Sequence, residues 1–495
     1  MHHWWKLINR MLFFAMLLIL TVSAGIAQAE DSSGKVKVYL AGEEIIFDTE
    51  PRIEKGRVLV PFRAVFESLG GKVQWKPQVK TVVARYGLID LRLQVGSKLA
   101  RRGNENISLD VPARIIQGRT MVPLRFISES LFSAQVQWHS KERTVDISPP
   151  QTGDLTPLSQ SLRMAVQGKK TGELADISGV DIIRVPEIIP KKSKSIRDVT
   201  LLFSDSPEYV GKPGVTYRGR GEGDIRLVYY HINQLGKSAR LALVAYNPGN
   251  EPARIEIRRY ANGDQISNRR NWQELGAAVT LDYLRQEKDT PVEIWQLSAK
   301  DSIILNPDSV SYLNGELLHG IMDLYTDHEL EFSFIMLPEE DFNDIPQKAR
   351  GPVLASDGRH DRGTFPNGNQ FLQVTFDGQV SGLMIGDGFS DPVLEGRDEP
   401  SGLKATLLGN YGTHYRLHAE FTQPGTAFLV PVGGDSFSGG VAVPQGVLPL
   451  LQCPTFSRAL ILGHFKSGDQ VEWTFMPPGG SNLPVIIGFV PTQEK

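Results

Sequence analysis

"GRVLVPFRAVFESLGGKVQW" runs from Gly56 to Trp75, and "GRTMVPLRFISESLFSAQVQW" runs from Gly118 to Trp138. One chain writes nearly the same sentence twice. With the glycines aligned, Asp48 pairs with Asp110, Gly56-Arg57 with Gly118-Arg119, Val60-Pro61 with Val122-Pro123, Arg63 with Arg125 and Glu67 with Glu129. Trp75 meets Trp138 after one inserted residue, and Thr81-Val82 then meets Thr144-Val145. So many matches in one order make an internal duplication.

Each copy predicts one helix. Pro61 suits a first helical turn. Phe62, Val65, Phe66 and Leu69 follow at i, i+3, i+4 and i+7 on one face, and Gly70-Gly71 ends the helix by taking positive φ. Leu124, Ile127 and Leu131 repeat that face. Burying such side chains is worth about 1.5–3 kcal/mol each before entropy is subtracted. Strands flank the helices. Val36, Val38 and Leu40 alternate before a turn at Ala41-Gly42, so 36–48 reads as a hairpin. Leu91, Leu93 and Val95 alternate in "LIDLRLQV", and Val73 with Trp75, like Val136 with Trp138, points to one side. Each unit reads as hairpin, helix, short strand, strand.

These residues resemble the stalk domain known as the copper amine oxidase N-terminal-like domain. The pattern V-P-x-R, E-x-L, V-x-W stands in both halves, over about Val36 to Ile147. The resemblance implies an α+β domain carried by secreted bacterial proteins, often beside cell-wall enzymes or surface modules, and non-catalytic despite the name. Trp75 and Trp138 recur with the framework and are read as closing each unit's core rather than as sugar platforms. Arg63 with Glu67, and Arg125 with Glu129, are spaced to pair across a helix surface.

Ahead of the repeat, Lys6 and Arg10 precede the apolar run from Met11, and "AQA" at 27–29 offers small residues to a signal peptidase. The run is shorter than the about 20 residues that span a bilayer. Residues 1–29 are expected to be a signal peptide cleaved near Ala29. No later segment is apolar enough for a transmembrane span, so none is expected in the mature chain. Losing Lys6 and Arg10 moves the net charge from −3 to −5, which gives no general attraction to nucleic acid. Cys453 is the only cysteine among 495 residues. An exported chain with one cysteine relies on packed cores, not internal disulfides, and Cys453 in "LLQCPTF" reads as a buried small hydrophobe.

With Gly 48 and Pro 31, the rest of the chain favours many turns and short strands. Residues 30–148 form the stalk domain. From Ser148 the proline-rich "SPPQTGDLTPLSQ" breaks the pattern, and residues 149–197 read as a linker, with the basic cluster Lys191–Ser195 as a solvated loop. Residues 198–347 alternate in "IRLVYYHINQ", "RLALVAYN", "ARIEIRRYA" and "ELEFSFIML", interrupted by one helix face made of Trp272, Leu275, Val279 and Tyr283. Residues 348–495 carry "FLQVTF", "HYRLHAEF", "TAFLVPV", "RALILGHF", "VEWTF" and "IIGFV" between glycine turns. The expected fold is an α+β stalk domain built from a duplicated hairpin-helix-strand unit, followed by two mainly-β, sandwich-like domains.

Motifs for chemistry fail one by one. An amine oxidase takes its quinone from a tyrosine in N-Y-(D/E) and its copper from histidines that include H-x-H. Asn410-Tyr411-Gly412 supplies two letters, and the chain after residue 29 has no H-x-H. His414 and His418 would stand about 13 Å apart along a strand, too far to share one ion at bonds of about 2 Å. Leu235–Ser238 "LGKS" has His231 where a P-loop needs glycine, with a strand following; it reads as a hairpin turn. Gly434–Gly440 "GDSFSGG" reads as a glycine-rich turn between strands. Acids cluster in "PEEDFND" (338–344) and "SDGRHDRG" (356–363), where Asp341 and Asp361 are the candidates for flanking a sugar bond; acids in loops are usually solvated. No catalytic residue, metal site or cofactor is therefore assigned, and the ligand stays unknown. The expectation is a secreted, non-catalytic, envelope-associated binding or scaffold protein, extracellular or held at the cell envelope, whose stalk domain presents β-sandwich modules to cell-wall glycan or other envelope material. The alternative is a cell-wall or carbohydrate-processing enzyme with its site in the C-terminal β domains.

Overall fold

The computed structural model of the chain describes residues 35–69, 71–86, 89–102, 105–127, 135–148, 155–193, 198–286 and 291–492. They divide into two compact units. One takes the described residues up to Ser68 and those from Arg114 to Ser148; the other takes Leu69–Ala113 and everything from 155 on.

In the first unit, Arg52–Glu54, Arg57–Pro61, Arg119–Pro123 and Arg114–Ile116 form one antiparallel sheet. Its central register sets Val60 opposite Val122, Leu59 opposite Pro123 and Pro61 opposite Met121. Exchanging the two copies of the repeat maps this register onto itself. The outer strands repeat as well, with Ile53 facing Val58 and Ile115 facing Thr120. Both connecting turns hold two residues at positive φ, Lys55 at 50° and Gly56 at 71°, Gln117 at 49° and Gly118 at 77°. That turn matches the twist of the paired strands and favours glycine at its second position.

The helix Phe62–Ser68 buries Phe62, Val65 and Phe66. Pro61 ends the preceding strand instead of entering the helix. Residues 124–127 are helical and bury Leu124 and Ile127; Leu131 and Glu129, like Gly70 and the expected signal peptide, lie outside the described residues. Arg63 and Glu67 pair at 3.9 Å on the exposed face.

The strands of one copy do not assemble with each other alone. Lys37–Leu40 runs parallel to Thr144–Ser148, with Val38 opposite Val145, so the opening hairpin of the first copy completes the sheet of the closing strands of the second. In the other unit, Lys72–Lys76, Thr81–Tyr86, Ile89–Gln94, Leu99–Arg102 and Glu105–Ser108 form a meander.

The body of the second unit is built on two long strands. Gly214–Asn233 pairs antiparallel with Leu317–Pro338, with a register shift between Gly221 and Gly223. Before the shift Ala239–Tyr246 flanks Leu317–Pro338, and beyond it Ala253–Asn262 does. Buried side chains from both halves, such as Tyr217 and Phe332 with Leu227 and Met322, share one core; the sheet therefore bends over itself. The "LGKS" turn joins two strands that pair with Leu317–Pro338 and not with each other, so it is a crossing rather than the expected hairpin. On the other face the helix Trp272–Arg285 buries Leu275, Val279 and Tyr283 against Val228, Tyr230 and Ile321. Arg226, sealed from solvent, ties these layers together. It donates to Asp323 at 2.7 and 3.0 Å, to Tyr283 Oη at 2.8 Å and to the carbonyls of Gly368 and Gly412 at 3.0 and 3.1 Å.

Toward the C-terminus a sheet of Leu174–Asp176, Arg458–Phe465, Gly425–Pro431, Val485–Pro491 and Ser381–Ile385 faces a sheet of Lys191–Ser193, Asn369–Phe376, His414–Phe421, Gln470–Phe475, Ser436–Val443 and Gly446–Pro454. Phe376, Phe421, Trp473, Phe489 and Cys453 are buried between them. This is the sandwich that the alternating strands announce.

Two expected boundaries are corrected. Within the expected linker 149–197, the described residues 155–193 are not an untied segment: Thr156–Val166 is a helix whose Leu162 and Val166 pack on the outer face of the first sandwich sheet, against Phe428 and Ile486. Leu174–Asp176 and Lys191–Ser193 are edge strands of the two sheets. Pro157 stands in the first turn of that helix, where its missing N–H costs nothing. The boundary at 347/348 also divides one sheet between two domains, because Arg362–Phe365 pairs with Val199–Ser204 and continues through Leu394–Asp398 to Leu403–Leu407. Among the described residues no helix is long and apolar enough to cross a membrane.

Candidate functional site

The second unit holds a cleft of about 790 Å³ between the start of the helix Trp272–Arg285, the ends of the long strands and the loop 477–482. Its formation depends on a close approach. A Cβ on Gly276 would stand 1.8 Å from the carbonyl oxygen of Gly479, and one on Gly479 would meet the Tyr230 ring at 2.9 Å and His319 Nε2 at 3.3 Å. Only glycine lets helix, loop and sheet meet there.

The walls are aromatic. Tyr230, Trp272 and Tyr411 line the cleft. Trp272 stands edge-on to Tyr209 at 5.9 Å, and Tyr230 edge-on to His319 at 5.3 Å. The Tyr411 hydroxyl donates to the Ser481 carbonyl at 2.7 Å; burial, with Asp205 and Asp361 nearby, pushes it up to about 12.

Four side-chain atoms on residues that line this cleft are sealed from solvent and have no protein partner: Asp205 Oδ1, Trp272 Nε1, Thr280 Oγ1 and His319 Nε2. Buried polar groups are normally paired, so four on one cleft are a concentrated unmet demand for hydrogen bonds. His319 Nδ1 lies 2.7 Å from the Tyr229 carbonyl, which can only accept, so that nitrogen carries the proton. Burial lowers the ring to about 4, which leaves Nε2 as an acceptor at neutral pH.

One end of the cleft is acidic. Asp357 accepts from Ser206 Oγ at 3.0 Å, from the amides of Glu208, Arg359 and His360 at 3.0, 2.9 and 3.0 Å, and from His360 Nδ1 at 2.8 Å. Burial works to raise this carboxyl, but those hydrogen bonds hold it well below the usual range. His360 Nε2 meets Glu208, forming a chain Asp357–His360–Glu208. Burial raises Glu208 against the opposing pull of His360. Burial, then the charges of Glu208, Asp361 and Asp357, raise Asp205 well above the carboxylate range. Burial also lifts Asp361 to about 6, although the Leu408 amide donates to it at 2.7 Å.

Of the two acids singled out from sequence, Asp361 belongs to this cluster and Asp341 does not line the cleft. Asp341 is exposed in the short turn Glu339–Asp341, whose Glu339 lies 3.8 Å from Arg240. Asp205, Glu208, Thr280 and His319 escape sequence reasoning, because no spacing separates them from ordinary strand, loop and helix positions. Trp272 was legible only as one residue of a helix face. In "GDSFSGG", Ser436 reaches the cleft rim and exchanges hydrogen bonds with Gln273 at 3.1 and 3.2 Å, but the segment from Ser436 is a strand. Asn410 is buried and donates to Pro392 O and Tyr415 Oη. His414 is buried against the Tyr283 ring at 6.1 Å.

In the first unit, Trp138 is 38% exposed and lines a cleft of about 320 Å³ with Ile53, Val136, Val145 and Pro123. This corrects the expectation that Trp138 closes a core; Trp75 is half-buried. The Trp138 indole stands opposite Val145 in the hairpin Gln135–His139 to Thr144–Ser148, as Trp75 stands opposite Val82 in Lys72–Lys76 to Thr81–Tyr86. Residues 39–147 match the copper amine oxidase N-terminal domain. The match covers the duplicated region and stops short of the larger cleft. A protein of Brevibacillus choshinensis named "Protease inhibitor" is 29% identical over 173 residues, which is 33% of this chain and 52% of that relative. The chain thus spans about half the length of the curated relative it matches. A solved structure, Lac15 from a marine microbial metagenome, aligns over 62% of this chain and 64% of its own at 8% identity, with a TM-score of 0.11. That likeness is too slight to bear on the fold.

Proposed function

We propose that this is an exported, envelope-associated binding protein without catalysis of its own, in which the copper amine oxidase N-terminal domain serves as a duplicated stalk and the strand-rich remainder captures envelope glycan. The observation that carries the reading is the cleft, whose lining residues include three aromatic rings and carry four buried polar atoms without protein partners. An unmet set of donors and acceptors costs stability in the free protein and is repaid when a ligand supplies the missing bonds. The basic, apolar and small-residue succession in 1–29 supports export with cleavage near Ala29, and the relative named for inhibition, a role fulfilled by binding, is in keeping. Purified protein lacking residues 1–29 is expected to be retained on isolated cell wall, and Trp272→Ala to lose most of that retention. Equal retention of the variant, or recovery of the intact chain from cytosol alone, would overturn the reading.

A second reading, glycan processing, is favoured by Asp205 and Glu208, two neighbouring carboxyls both raised by burial, of which Asp205 is raised well above the ordinary range while His360 opposes the rise of Glu208. Release of soluble wall fragments by the wild type, abolished in Asp205→Asn, would establish it in place of pure binding.

A further inference from the structure

We infer that the cleft is built for an uncharged sugar ring and against acidic ones; this rests on the binding reading above and names its ligand. The polarity of the four unpartnered atoms decides the class. Trp272 Nε1 can only donate, and His319 Nε2, with Nδ1 committed to the Tyr229 carbonyl, can only accept at neutral pH. Thr280 Oγ1 does either, and Asp205 Oδ1 does either according to its proton. One ligand must therefore present donors and acceptors together on a small frame. Sugar hydroxyls do both at each position. The apolar faces of a pyranose suit the rings of Tyr230, Trp272 and Tyr411, and the cleft has the size of a small-molecule site.

Anionic ligands fail on two counts. The carboxylate of an acidic sugar only accepts, so where it stands it cannot serve His319 Nε2 as a hydroxyl does. It also brings negative charge against Glu208 and Asp435 in the lining, with Asp357 and Asp361 behind them. Arg270 is the opposing cationic side chain of the lining, and it is engaged on the Asn314 carbonyl at 3.0 Å, while His360 is taken up by Asp357 and Glu208.

The test is calorimetric titration of the chain lacking residues 1–29 with tetramers of glucose, of N-acetylglucosamine and of galacturonate at pH 7. At least one neutral tetramer is expected to bind, with galacturonate at least tenfold weaker. Trp272→Phe, which keeps an aromatic ring but removes the donor, and His319→Leu, which removes the acceptor, are each expected to weaken the neutral sugar about tenfold; circular dichroism and thermal melting check that both variants fold. Galacturonate binding as tightly as the neutral sugars overturns the inference. So does wild-type affinity in both folded variants. Retention on cell wall with no binding of any tetramer overturns it and leaves the envelope reading standing. Loss of wall retention as well removes both.

Discussion

At the scale of single residues, burial sets charge in ways that pH can read. His231 and His319 are sealed in the body of the second unit and lowered to about 4 by burial. His231 is held between the Pro207 carbonyl and Ser204 Oγ, each at 2.9 Å. An unfolded histidine takes a proton below its ordinary value near 6.5, whereas these two refuse it until about 4. Their contribution is complete above 6.5 and is lost as the pH falls toward 4, about 3 kcal/mol for each. Urea unfolding of the wild type and His231→Gln at pH 7 and pH 4 should show the stability gap between them shrinking in acid; a constant gap would refute the assignment. Asp361 acts with the opposite sign. Its folded value of about 6 exceeds the ordinary 3.8, so its favourable term is present below 3.8 and is lost as pH rises through 6. Asp361→Asn should gain on the wild type by something on the order of 2 kcal/mol in moving from pH 4 to pH 7.5, read in the same unfolding series. Neither behaviour was legible from sequence. Asp361 was visible as one acid of a cluster, but its burial depends on Leu408 and Asp205, which are remote in the chain or chemically ordinary in their local context.

At the scale of elements, the helix Trp272–Arg285 was legible by its face, because Trp272, Leu275, Val279 and Tyr283 repeat at helical spacing; the structure adds the cap, Asn271 accepting from the Glu274 amide at 3.3 Å. Its second role was hidden. Gly276 reads as a weak point in a helix, yet it is the place where the helix touches the Gly479 carbonyl. Gly276→Ala improves intrinsic helix propensity by about 1 kcal/mol, but the added methyl has no room against backbone. The expected net result is a loss of roughly 1–3 kcal/mol, a lower melting temperature and a displaced loop 477–482, with sugar or wall binding impaired. Asn271→Ala should cost about 1 kcal/mol through the lost cap and leave that loop in place. A melting temperature for Gly276→Ala at or above that of the wild type would mean that the close approach is not what shapes the cleft. The repeat shows the same division between what periodicity reveals and what it hides. Alternation and the paired glycines disclosed the strands and turns of each copy, while the parallel pairing of Lys37–Leu40 with Thr144–Ser148 joins residues that no local pattern connects.

At the scale of the whole molecule, the strand-rich character of everything after the repeat follows from alternation and glycine turns, and those signals were plain. Which strand joins which sheet was not, because edge strands of three residues carry almost no pattern. Leu174–Asp176 and Lys191–Ser193 sit inside a stretch whose prolines and lysines imitate a tether, and they close opposite edges of the sandwich. The helix Thr156–Val166 covers the outer face of one of those sheets with Leu162 and Val166. A fragment beginning at Val199 would therefore expose Phe428, Val430, Ile461 and Ile486, which this helix packs against, and would leave two sheet edges unpaired. It should aggregate or melt well below a fragment beginning at Leu155, although both contain every strand from Val199 to Pro491. Side-by-side expression, gel filtration and thermal unfolding of the two fragments decide the matter. Equal solubility and equal melting would return 149–197 to the status of a linker. A Leu162→Ala substitution in the longer fragment separates loss of the covering helix from loss of the edge strands: removing one buried leucine should cost about 2–5 kcal/mol while both edge strands remain, so a fragment from 155 that tolerates it unchanged would place the whole effect on the strand edges.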